Sequence, residues 1–128
     1  MRILIDTNCY SAIDGGDPET IRRIQTAQEV WLPFIVLGEL YAGFELGTQK
    51  GQNEQQLQDF LSRPAVGVLF ADRDTTRGYG QIFHALRRQG TPIPTNDVWI
   101  AALALQYDLL LTTSDKHFLC VPGLKILR

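Results

Sequence analysis

Apolar and polar positions alternate along this chain in short blocks. Ile3-Leu4-Ile5 is an apolar run that stops at Asp6, which predicts a buried strand ending in a polar turn. Asp17-Pro18-Glu19 opens a helix, with an N-cap candidate, a proline at the first helical position and then an acid. Val30 to Pro33 reads as a second strand, followed by a helix from about Phe34 to Leu46, for which Gly47 is a natural stop. Gln52 to Leu61 is a polar helix with Leu57, Phe60 and Leu61 at helical spacing, and Val66 to Phe70 is a third apolar strand. Thr75 to Gln89 sets Tyr79, Ile82, Phe83 and Leu86 on one helical face, with Gly90 as C-cap. Thr95 or Asn96 can cap a helix running to about Tyr107. Leu109 to Leu111 is another buried strand, and Leu124 to Leu127 an edge strand. Short apolar strands alternating with helices predict an α/β layer fold with a mainly parallel sheet. In such sheets ligands gather outside the carboxyl ends of the strands.

Composition narrows the class without naming a chemistry. At 128 residues, 45% hydrophobic and 20% charged, the chain suits one ordinary globular domain spanning residues 1–128. No repeat, low-complexity tract or composition shift divides it. Cys9 and Cys120 lie far apart with no metal or redox spacing, so a reduced cytoplasmic protein is expected. The first apolar run ends at Ile5, too soon for a signal peptide, and the longest, Val98 to Leu105, is far short of a membrane span. The formal net charge of -2 advertises no polyanionic partner. Setting aside four of the 14 acids as cation-neutralised leaves 10 against 12 basic residues, a remainder of +2 that permits one.

Those four acids, Asp6, Glu39, Asp97 and Asp115, occupy positions that a solvated-surface role explains poorly. Asp6 ends the first strand, and Asp115 follows the Leu109–Leu111 strand after Thr112-Thr113-Ser114, so parallel strands would put both at one sheet edge. Glu39 has Ile35, Val36 and Gly43 three and four residues away and Leu46 beyond. An acid is thus expected within an apolar helix face, where burial demands a compensating cation. Asp97 sits in the first turn of its helix, where the macrodipole favours an anion, so capping alone is an adequate reason for it. Two unit charges about 4 Å apart repel by roughly 4 kcal/mol at an effective dielectric near 20, so a cluster of such groups needs protonation or a cation. Hard divalent ions such as Mg²⁺ and Mn²⁺ take carboxylate and water ligands, and Mg²⁺ suits phosphate chemistry. Phosphodiester hydrolysis is the reaction this cluster predicts, with water activated for in-line attack and no side chain as covalent nucleophile.

Four segments also carry a family likeness: Ile3-Leu4-Ile5-Asp6-Thr7-Asn8, Gly38-Glu39-Leu40-Tyr41-Ala42-Gly43, Pro94-Thr95-Asn96-Asp97 with Ile100-Ala101-Ala102, and Leu111-Thr112-Thr113-Ser114-Asp115-Lys116-His117-Phe118 continuing into Val121-Pro122-Gly123-Leu124. In this order and spacing the chain resembles PIN-domain ribonucleases, and among them the VapC-type toxins of bacterial toxin–antitoxin pairs. The resemblance spans essentially the whole chain. It implies a three-layer α/β fold, a parallel sheet flanked by helices, with Asp6, Glu39, Asp97 and Asp115 as the catalytic acids of a Mg²⁺ or Mn²⁺ site. It further implies Asn8 and Thr113 as supporting polar residues, an RNA substrate, a homodimer, and a cognate antitoxin whose tail blocks the site. His117 departs from the pattern, because many relatives carry an acid just before the phenylalanine that matches Phe118.

Other residues fit plainer roles. Ser114, Asp115 and His117 are neighbours, but a hydrolytic triad needs spatial convergence and a strained nucleophile turn, and neither is signalled. His84 and Cys9 read as packing residues. Arg87-Arg88 suits a helix end, which leaves Lys116, beside Asp115, as the favoured contact to RNA. Two rival functions stand against the nuclease. A non-catalytic RNA-binding or protein-interaction module of the same fold has no use for all four acids. A phospho-receiver would carry paired acids after the first strand, where this chain has Asp6-Thr7-Asn8.

Overall fold

The computed structural model describes residues 1–128. Five strands form one sheet: β1 (Arg2–Ile5), β2 (Glu29–Pro33), β3 (Val66–Leu69), β4 (Leu110–Thr112) and β5 (Ile126–Leu127). Their order is β3-β2-β1-β4-β5, and every neighbouring pair is parallel. Ile3, Leu4 and Ile5 are each 0% exposed. Successive residues of a strand face opposite sides, so both faces of β1 are covered and the sheet is the middle layer.

Six helices make the covering: α1 (Thr7–Asp14), α2 (Pro18–Thr26), α3 (Phe34–Leu46), α4 (Lys50–Leu61), α5 (Arg73–Gln89) and α6 (Thr95–Gln106). α6 is buried over most of its surface through Val98, Ile100, Ala101, Ala102, Leu103 and Ala104. α5 lies alongside it, with Tyr79 and Trp99 rings 4.3 Å apart. Capping is local and legible. Asp17 accepts from the Thr20 N–H at α2, and Asp72 with Thr75 forms a reciprocal capping box at α5. Gly90 closes α5 in the left-handed region at φ 74°, which a side chain would strain.

Several local expectations need correction. The polar turn expected after Asp6 is the helix α1, because Asp6 is itself the N-cap and accepts from the Cys9 N–H. Neither Thr95 nor Asn96 caps α6. The helix begins at Thr95 after Pro94, with no side-chain cap. α5 starts at Arg73 rather than Thr75, since Asp72 captures the first turn. A short 3-10 helix, Lys116–Cys120, follows β4 and was not signalled.

The chain runs from β1 outward to β2 and β3, then returns to the other side of β1 as β4. That reversal opens a crevice between the carboxyl ends of β1 and β4, where the next residues are Asp6 and Thr113.

Candidate active site

Register fixes the first part of the site. Ile5 pairs with Thr112, so Asp6 and Thr113 leave the sheet side by side. Asp6 is buried, and its Oδ1 accepts from the Cys9 N–H at 2.8 Å. The buried Thr113 hydroxyl donates to Asp6 Oδ2 at 2.5 Å and accepts the Asp115 N–H at 2.9 Å. One hydroxyl therefore ties two acids together. Burial holds the Asp6 pKa above the ordinary carboxylate range and Asp115 pushes it further, against the opposing hydrogen bonds from Thr113 and Cys9.

Asp115 caps the 3-10 helix by accepting the His117 N–H at 2.9 Å. This turns the His117 ring back over the acids. Its Nδ1 lies 3.1 Å from Asp115 Oδ1 and 3.3 Å from Asp97 Oδ2. Donor atoms of Asp97, Asp115 and His117 all lie within 4.8 Å of one another. Asp97, in the first turn of α6, has its pKa raised chiefly by burial, then by repulsion from Asp115 and Glu39, with His117 working the other way.

Glu39 reaches the group from α3. It is exposed, in contrast to the buried position expected from its apolar neighbours, because α3 turns Val36 and Leu40 inward instead. Its Oε1 accepts from the Thr7 hydroxyl at 2.8 Å, which links it to the residue after Asp6. The desolvation argument made for Glu39 thus belongs to Asp6 and Asp97. Gly38 and Gly43 leave open space on the same helix.

The remaining candidates are more peripheral. Asn8 is exposed and forms no hydrogen bond to the four acids. It lines a recess of about 110 Å³ with Thr113, Ser114, Arg23 and Arg128. Lys116 is exposed beside Asp115 and free of ion pairs. Burial and the charge of Asp6 push the Cys9 thiol up to about 12, so it is an inert packing group. Two contributors escaped the sequence reading. Thr7 follows Asp6 directly, a usable hint, whereas His117 had no signal beyond its nearness to Asp115.

The donor set is carboxylate oxygen with one imidazole nitrogen, and burial chiefly, with repulsion between the acids adding to it, raises the pKa of Asp6 and Asp97. Such a set fits a divalent cation, which would relieve that repulsion.

Comparison with known proteins identifies the family and the fold. A model of the PIN domain matches residues 3–124. Ribonuclease VapC2 of Rickettsia felis is 30% identical over 129 residues, covering 97% of this chain and 95% of the relative. The tRNA(fMet)-specific endonuclease VapC of Salmonella typhimurium is 30% identical over 130 residues, covering 98% and 96%. The crystal structure of DNA-bound VapBC from Salmonella typhimurium superposes with a TM-score of 0.89 at 28% identity, over 99% of this chain and 97% of that one.

Proposed function

The chain belongs to the PIN-domain family, and on that premise we propose that it is a Mg²⁺- or Mn²⁺-dependent endoribonuclease acting as the toxin of a toxin–antitoxin pair. What supports the reading is the meeting of acids from four distant segments at one sheet edge, next to the crevice of a parallel α/β fold. Asp6, Glu39, Asp97 and Asp115 would hold the ion. When bound, a divalent cation supplies Lewis-acid activation of water and stabilises charge on the phosphoryl oxygens.

The chain's own groups do the positioning. Thr113 holds the Asp6 carboxylate and the Asp115 backbone N–H, and Thr7 fixes Glu39. Lys116 and Asn8, both exposed beside the acids, can meet the RNA backbone, Lys116 through charge and Asn8 through hydrogen bonds. Ser114 forms no hydrogen bond to His117, whose Nδ1 is shared by two carboxylates, so the proposed reaction uses no covalent serine intermediate. The same proposal includes a homodimer and a cognate antitoxin, since solved relatives are VapBC complexes. No helix is long and apolar enough to cross a membrane.

The test is cleavage of a mixed RNA with Mg²⁺ or Mn²⁺ and with EDTA. We expect cleavage only with metal, and its loss in Asp6→Asn at unchanged circular dichroism. Full activity in that variant would overturn the assignment.

A further inference from the structure

The acids of the candidate site are chemically uniform, and His117 is the exception among them. It is not a stray surface residue. Asp115 caps its backbone N–H at 2.9 Å, and the following residue, Phe118, is 1% exposed and anchors the turn in the core. The ring is thereby held with Nδ1 at 3.1 Å from Asp115 and 3.3 Å from Asp97, on donors from two different elements. These three donor atoms fall within 4.8 Å of one another, the spread expected of ligands around one ion. Half of the His117 side chain is exposed, yet its Nδ1 lies between the two carboxylates.

We propose that His117 is a nitrogen ligand of the acidic site and sets its metal preference toward first-row transition ions over Mg²⁺, an inference that rests on the four acids being the metal site. Mg²⁺ takes oxygen donors almost exclusively and keeps several waters, so an imidazole adds little to its binding. First-row transition ions accept imidazole readily, and affinity for such sites rises from Mn²⁺ along the series. Mn²⁺ is the weakest of them and therefore the most demanding probe. Replacing the imidazole leaves the carboxylates in place, so the change falls on selectivity rather than on binding as such.

Mn²⁺ alone is titrated into the full-length chain and followed by electron paramagnetic resonance, with Mg²⁺ as competitor. The wild type and His84→Ala should show nitrogen coupling from a bound imidazole in pulsed spectra. His117→Ala and His117→Asp should lose that coupling. In His117→Ala the Mn²⁺ affinity should fall by about tenfold while the Mg²⁺ affinity changes little. Mn²⁺ bound to the wild type without nitrogen coupling overturns the role of His117 but leaves the acid site standing. So does tighter Mn²⁺ binding in His117→Ala, which would make the imidazole a resident counter-charge instead of a ligand. No Mn²⁺ binding by the wild type overturns both the inference and the site it rests on.

Discussion

Asp97→Asn should make the metal-free protein more stable while removing its activity. Asparagine keeps the volume and the acceptor facing His117 Nδ1, so the substitution isolates the charge. The Asp97 and Asp115 carboxylate oxygens lie within 4.8 Å, where two unit charges repel by roughly 3 kcal/mol at an effective dielectric near 20. Their side chains are 19% and 29% exposed, so solvent screening reduces the relief to about 1–2 kcal/mol. For a chain of 128 residues that is a rise in Tm of roughly 3–8 °C. The pH dependence has a definite sign. Burial raises the folded-state pKa of Asp6 and Asp97, so the folded protein retains protons that the unfolded chain has released. The penalty sets in above the unfolded value of about 3.9 and is complete once pH has passed the raised values, so wild-type stability falls across that window. Asp97→Asn flattens the fall. Saturating metal reverses the order, because an ion at about 100 times its Kd stabilises the wild type by about 2.7 kcal/mol and the variant far less. Thermal unfolding in EDTA and in Mn²⁺, across pH, reads all of this. A variant less stable than the parent in EDTA near pH 8 would refute the reasoning, since relieving repulsion cannot then be the dominant effect.

Gly67→Ala places a Cβ 2.8 Å from Trp31 Cζ3, and Trp31 is held by its Nε1–H donated to Glu29. Overpacking of about 1–3 kcal/mol should appear in urea unfolding, and an unchanged midpoint would show that the ring yields freely. Thr7→Val removes the hydroxyl that orients Glu39, so cleavage should slow by about tenfold while stability shifts by no more than about 0.5 kcal/mol. Thr7→Ser should recover most of the rate, and equal loss in both variants would point to a different role for that position.

Local chemistry carried much of this protein into view from its sequence. The strands around Ile3–Ile5, Val30–Pro33 and Leu109–Leu111 are short apolar runs between turn residues, and the Asp17 and Gly90 helix ends are set by hydrogen bonds within a few residues. Parallel pairing follows from alternation with helices, which is why the sequence itself points Asp6 and Asp115 to one sheet edge. Other features were hidden for physical reasons. Helix α1 begins at a residue that also ends a strand, and a single aspartate serves equally as turn former or N-cap. Helix α3 is apolar nearly all round, so periodicity could not tell which side would be covered, and Glu39 proved exposed. The contact of Thr7 with Glu39 spans 32 residues and that of His117 with Asp97 spans 20. Pairings of that kind depend on strand order and helix packing, which balance interactions over the whole chain. Short-range propensities decide which elements form, whereas the side chains that meet at the edge of the sheet are chosen by the burial of the core as one unit.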